Sequence, residues 1–254
     1  IDFEKKEQWN NEKFQRNCVS RGIDKLELNN DDLIIIADID EIPNPHILKL
    51  IKSNNIIVNI NILELDFYYY NLNCKMNHKW YNTKILTFNK YKELKICCED
   101  IRFYNCPSIQ KAGWHLSYFG NEKFIKNKLE NFSHQEYNHD TFTDEKLIEE
   151  RITNGKDLFD RENNDIIYVP IEDNDNLPPE YDVYLTNFYI NKHIAFWDNQ
   201  LCDRGTTVAI YNYALYNEKL LRNKSYIFYE KNNPNNNVDV IEKFKRKFLV
   251  FPVE

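Results

Sequence analysis

Five aliphatic residues in a row, Leu33-Ile34-Ile35-Ile36-Ala37, stand between Asp31-Asp32 and Asp38-Ile39-Asp40-Glu41-Ile42-Pro43. An unbroken, largely β-branched run of this length is predicted to be a buried strand, of the kind found at the centre of a parallel sheet. A strand end is rigid, and strand alternation predicts Asp38 and Asp40 on the same side. Two carboxylates that close repel, and each raises the other's pKa unless a cation sits between them. A hard divalent ion, Mn2+ or Mg2+, removes the repulsion and keeps coordination sites for phosphate oxygens. Ligands of open α/β sheets gather at the carboxyl ends of the strands. The run and its acidic end therefore point to a metal-bridged diphosphate site. The plain alternative is that Asp38 and Asp40 open a solvated loop; five aliphatics before them and Glu-Ile-Pro after them weigh against it.

The rest of the chain places this strand in an α/β context. The pattern predicts a helix over residues 4–21, a turn at Pro43-Asn44-Pro45 and a helix from His46 to Lys52. Strands are predicted over 56–70, 84–88 and 93–97, and helices over 121–131 and 143–154, the last capped by Thr143 and stopped at Gly155. Residues 99–120, rich in aromatic, Gly and His residues, read as an irregular functional loop region. The acidic, Pro-containing stretch from Asp173 to Pro179 reads as the start of a linker. Beyond residue 190 the order is strand, helix, strand, helix, strand, which opens a doubly wound nucleotide-binding sheet. Three strands alone leave an open edge, so this tail is expected either to be cut short or to dock on the first domain. Two domains follow, over 1–188 and 189–254.

Composition excludes several classes. The 254 residues carry 33 Lys and Arg against 40 Asp and Glu, a formal charge of −7. That balance lacks the basic surplus of a nucleic-acid binder. The longest aliphatic run is far short of the roughly 18–20 residues of a membrane span. Six cysteines without a CxxC pair are expected to be reduced and mostly buried, which favours a cytosol-facing compartment; a secretory lumen would require an anchor upstream. The surplus of Asn, Ile and Lys is a nucleotide-composition effect with little chemical content.

A second constellation is Lys111-Ala112-Gly113-Trp114-His115-Leu116-Ser117-Tyr118-Phe119-Gly120. Gly113 allows close backbone approach to a ligand. Trp114 and Tyr118 offer flat faces of the kind that stack on sugar rings. His115 reads as a third metal ligand or a phosphate donor, and equally well as a satisfied core histidine. A haloacid-dehalogenase-type phosphatase also ends a strand in D-x-D, with Asp38 as nucleophile. It requires Thr or Val where Ile42 stands and a Gly that does not follow.

Taken together, Asp38-Ile39-Asp40-Glu41-Ile42-Pro43 and Ala112-Gly113-Trp114-His115-Leu116-Ser117 resemble glycosyltransferase family 17, that of the bisecting β-1,4-N-acetylglucosaminyltransferase. Arg151-Ile152-Thr153-Asn154-Gly155 with Leu158-Phe159-Asp160, and Leu177-Pro178-Pro179-Glu180-Tyr181, resemble its later segments, so the similarity covers about residues 4–190. The resemblance implies a GT-A-like fold with a mixed sheet flanked by helices, here followed by a partial doubly wound βαβαβ unit. It implies a UDP-sugar donor, UDP-N-acetylglucosamine by the family's type member, a glycan acceptor, and inverting transfer. It further implies Mn2+ or Mg2+ held by Asp38, Asp40 and His115. The catalytic base it implies is Glu99 or Asp100, with Glu41 the other choice. Arg16, Gly113, Trp114, Ser117 and Tyr118 are its candidate donor and acceptor contacts. A GT-A fold sets two or three uridine-binding strands before the D-x-D, whereas 37 residues precede Asp38. The uridine pocket is therefore expected to be missing and the first domain truncated at its start. Residues 193–229, with Arg204-Gly205-Thr206-Thr207 opening a helix, loosely resemble the first βαβ unit of a GT-B domain. A non-catalytic carbohydrate-binding remnant is the alternative function.

Overall fold

The computed structural model describes residues 7–162 and 164–254; residues 4–6 of the first predicted helix lie outside the described residues. The chain divides into two compact units, one of residues up to 169 with 176–188, the other of 170–175 with 189–254. In the first unit the order is α1 (Glu7–Asn17), α2 (Val19–Ile23), β1 (Leu33–Ile36), β2 (Glu41–Pro43), α3 (Pro45–Lys52), β3 (Ile60–Tyr69), β4 (Cys74–Met76), β5 (Lys84–Thr87), α4 (Phe88–Leu94), α5 (Cys98–Arg102), β6 (Ser108–Ser117), α6 (Glu122–Asn131), α7 (Asp140–Thr143), α8 (Glu145–Asn154), β7 (Ile166–Tyr168) and α9 (Tyr181–Tyr184).

The seven strands form one mixed sheet flanked by helices, as the sequence predicts. Its path runs β1-β5-β3-β4-β7, with β6 on the other edge of β3 and β2 outside β6. The aliphatic run β1 is not central: it pairs antiparallel with β5, and Leu33 is 42% exposed. It is apolar because Ile34 and Ile36 pack with Ile60, Leu86 and Ile101 on one face while Ile35 packs near Ile85 and Leu63 on the other. The centre belongs to β3 and to the segment read as an irregular loop. That segment is the ten-residue strand β6, parallel to β3 from Ile62↔Ser108 to Tyr69↔Ser117. Residues 93–97 are not a strand. Glu93 and Leu94 end α4, and Lys95 to Cys97 join it to α5, Lys95 closing the helix with a left-handed φ of 51°.

Gly113 makes the centre possible. Its φ is +154°, and a Cβ there would sit 2.1 Å from the Ile42 carbonyl oxygen and 2.8 Å from Leu65 Cδ2. Only a residue without a side chain lets β2 and β3 both close on β6. Below the carboxyl end of β3, Phe67, Tyr69 and Tyr118 pack against Ile125 and Leu129 of α6 and Ile148 of α8. Gly155 stops α8 in the left-handed conformation (φ 60°), and the cap is Asp144, one residue after the predicted Thr143, because its side chain accepts from two backbone N–H groups.

The second unit contains β8 (His193–Asp198), α10 (Gly205–Leu221), β9 (Lys224–Glu230), α11 (Val238–Lys245) and β10 (Leu249–Val253). The strands are parallel in the order β10-β9-β8, the predicted βαβαβ arrangement. All six cysteines are free thiols, but only Cys74 and Cys98 are buried. No helix among the described residues is long and apolar enough to cross a membrane.

Gly113→Ala is expected to lower stability by about 2–6 kcal/mol, because left-handed strain and overpacking each cost about 1–3 kcal/mol. Gly22→Ala, in α2 with open space around its Cβ, is expected to be neutral or stabilising by up to ~1 kcal/mol. Thermal denaturation of the two variants beside the wild type measures both.

Candidate active site

The acidic motif does not extend β1. The strand stops at Ile36, and Asp38 to Asp40 form a turn closed by Glu41 N–H donating to the Asp38 carbonyl at 3.1 Å. Alternation therefore fails, and the two aspartates face different partners. The turn leads into β2, which pairs antiparallel with β6 in the register Glu41↔His115, Ile42↔Trp114, Pro43↔Gly113. Leu116 N–H also donates to the Asp40 carbonyl at 2.9 Å. Two motifs more than 70 positions apart in the sequence thus lie side by side.

Glu41 is the anchor of the turn. It is 3% exposed. It accepts from Arg102 Nη2 at 2.8 Å, Trp80 Nε1 at 2.7 Å, Thr83 Oγ1 at 2.5 Å and the Asp38 N–H at 3.1 Å. Burial alone would raise its pKa, but the bonds from Arg102, Thr83 and Trp80 outweigh that and hold the carboxyl below its usual range. A carboxylate so engaged is a structural acceptor and is poorly suited to be the base.

Asp38 is likewise occupied. It accepts from Arg102 Nη2 at 2.9 Å and from Arg16 Nη2 at 3.2 Å. Arg16, expected to meet a phosphate, lies among carboxylates, with Nη1 3.0 Å from Glu99 and 2.7 Å from Glu12. Glu99 is 7% exposed and bound in this network, whereas Asp100 is exposed and accepts the Cys97 thiol at 3.0 Å.

Asp40 faces the other way. Its Oδ1 is 3.5 Å from His115 Nε2 and its Oδ2 is 3.5 Å from Lys128 Nζ on α6. Burial pushes the Asp40 carboxyl up, but the hydrogen bond and charge of His115 and the charge of Lys128 outweigh it and leave the pKa lowered. His115 is stacked on Phe67 at 4.5 Å and lies 4.3 Å from Trp80, so its ring is fixed. Lys128 also sits 4.6 Å over the Tyr118 ring.

Trp114 and Ser117 lie under the site. Trp114 is 1% exposed and donates to the Asn176 carbonyl at 2.6 Å, so it cannot offer a face to a sugar without repacking. Tyr118 is buried too, and burial drives its hydroxyl pKa well up. Ser117 is buried, and its carbonyl accepts from Tyr70 N–H at 3.1 Å. Gly113 serves strand packing.

The sequence reading missed Arg102, Lys128 and Asp66. Arg102 and Lys128 are single basic residues in ordinary helices and carry no motif. Asp66 is 2% exposed and holds Lys75 at 3.0 Å, Lys79, and Asn176 at 2.9 Å. It faces away from His115, because it pairs with Trp114 in the β3–β6 register.

The expected three-residue metal shell is not assembled: among the described residues no three His, Cys, Asp or Glu side chains converge. Asp38 is neutralised by two guanidinium groups. His115 uses Nε2 toward Asp40, and its buried Nδ1 has no partner among the described residues. Metal binding at Nε2 would move the proton to Nδ1, where nothing accepts it. Asp40, with a 26% exposed side chain and two long ion pairs, is the member of the trio that fits a hard cation.

The sequence matches glycosyltransferase family 17 over residues 1–177. The chain belongs to that family. No curated protein and no solved structure matches it. As a family 17 member it is a glycosyltransferase, with a sugar donor and an acceptor as substrates. The phosphatase alternative also fails on geometry, since Asp38 as nucleophile would have to leave two arginines. The family match ends at residue 177, so the resemblance of the tail to a GT-B unit has no support from it.

Glu41→Gln removes the buried one of the two carboxylates that pair with Arg102, leaving only the half-exposed Asp38, and a loss of about 3 kcal/mol is expected at pH 7. The folded pKa of Glu41 is depressed, so its stabilisation is complete above the ordinary glutamate value of about 4.3 and is lost progressively as pH falls from there through the lower folded value. The stability gap between wild type and E41Q should therefore shrink from pH 7 to pH 3.5. Urea midpoints at the two pH values test this, and a constant gap would refute the assignment.

Proposed function

We propose that this glycosyltransferase moves N-acetylglucosamine from its UDP donor to a glycan hydroxyl, with inversion and a β-1,4-type linkage. The observation that carries the reading is the pairing of β2 with β6, which sets Asp40 beside His115 on the rim of the D-x-D turn, where Lys128 of α6 also meets it. The donor diphosphate is a strong anion. Lys128 supplies a positive charge for it, and His115 lies 3.5 Å from Asp40 on the other side. A divalent cation held through Asp40 would neutralise the departing UDP. Arg102 and Glu41 fix the turn from behind, so the rim does not have to reorganise as charge builds on the leaving group.

Calorimetry of UDP binding, with and without Mn2+, tests this reading. UDP is expected to bind, Mn2+ to tighten binding at least about tenfold, and Asp40→Asn to abolish the Mn2+ effect. No heat from UDP under either condition would reject the donor class. A Mn2+ effect that survives in D40N would reject the metal assignment alone.

A further inference from the structure

Inverting transfer needs a base for the acceptor hydroxyl, and the three carboxylates expected for it are poorly placed. Glu41 and Glu99 are buried in ion pairs, and Asp100 is held by a thiol. A different pair has the right chemistry. His134 Nδ1 is 2.7 Å from Glu136 Oε1, and both side chains are about half exposed. A carboxylate only accepts, so Nδ1 carries the proton and neutral His134 keeps its lone pair on Nε2. That nitrogen has no hydrogen-bond partner among the described residues. A chance surface contact would leave the ring loose. Here Trp9 meets it edge-on at 4.5 Å, with Phe132 at 5.5 Å and Tyr137 at 5.9 Å.

Two elements tie this pair to the D-x-D rim. Trp9 and Arg16 are seven residues apart on α1, two turns and the same face. Trp9 touches His134 while Arg16, about 10 Å along the helix axis, holds Asp38. On the other side α6 carries Lys128 to Asp40 and ends three residues before His134. Tyr137 packs at 4.1 Å on Phe159, which packs at 5.9 Å on Tyr118 beneath Lys128.

We propose that His134, oriented by Glu136, is the general base that activates the acceptor; this rests on the UDP-sugar reading above. The acceptor O–H gives its proton to His134 Nε2. Its oxygen forms the new bond to C1 of the sugar, and the C1–O bond to phosphate breaks with its electron pair leaving on UDP. Glu136 is a positioning residue.

The test uses the full chain, UDP-N-acetylglucosamine as donor and chitobiose as acceptor, and follows UDP release. His134→Ala and His134→Gln are expected to lower kcat at least about 100-fold while UDP affinity measured by calorimetry stays within about threefold of wild type, which also shows that the variants fold. Glu136→Gln should lower kcat less and leave KM for the donor unchanged. Azide needs no deprotonation, so adding it to H134A should restore UDP release and yield a glycosyl azide, which loss of a structural residue would not produce. Unchanged kcat in the His134 variants, no azide rescue, or the same loss with rescue in D100N instead, overturns the base assignment and leaves the donor reading standing. A wild type that neither binds UDP nor releases it from the donor overturns both.

Discussion

The first unit depends on one buried charge pair, Glu41 with Arg102. Both residues are 3% exposed, so each has given up most of its hydration. Such a pair stabilises little over an apolar one of the same size, because desolvation cancels most of the attraction. Its effect is geometric. The guanidinium donates to both Glu41 oxygens and, through Nη2, to Asp38 as well. Trp80 and Thr83 complete the Glu41 acceptors. One carboxylate thereby joins the loop before β5, the end of α5 and the D-x-D turn, and none of the three can shift without leaving a buried charge short of partners.

The close approach at Gly113 acts at the same place from the opposite direction. Side-chain bonds fix the turn from behind, and backbone packing fixes β2 against β6 in front. Because the Gly113 φ is strained for any side chain, the register Glu41↔His115 is set as firmly as the charge pair sets the turn. His115 cannot swing either, being stacked on Phe67 and covered by Trp80. Asp40 is the exception: its contacts to His115 and Lys128 are both 3.5 Å, longer than the bonds around Glu41. The rim combines a rigid base with one loosely held carboxylate.

Much of this was legible in the sequence, for identifiable reasons. The aliphatic run, the Gly155 stop of α8 and the βαβαβ tail are local patterns, and local patterns survive folding. The family resemblance rested on two motifs that the fold sets on adjacent strands. The errors have a common cause in tertiary context. Residues 108–117 are buried on both faces over much of their length, so their mixture of Gly, Trp, His and Ser hid the strand that Ala112, Trp114 and Leu116 alternate to form. The β1 run is equally apolar at an edge of the strand path, because helices and loops cover it where strands do not. The direction of Asp38 was unreadable because it is set by Arg16 and Arg102, 22 and 64 residues away. A long-range ion pair leaves no periodic trace.

The second unit shows how topology fixes which face of a sheet its own helices cover. Parallel strands that advance in one direction, β8 to β9 to β10, with right-handed crossovers must place both connecting helices on the same face. Phe196, Ile227 and Val250 accordingly pack with Ile210 and Ala214 of α10 and with Ile241 and Phe244 of α11. Alternation turns Trp197, Phe228 and Phe251 to the opposite face, where Trp197 is 56% exposed. On this face the side chains lean on one another, with Phe251 stacked at 5.3 Å on Phe228 and at 6.2 Å on Tyr226. Neighbouring aromatics on adjacent strands bury part of each other's area, which lets three strands with helices on one side hold together where isolated aliphatic side chains would leave more surface wet.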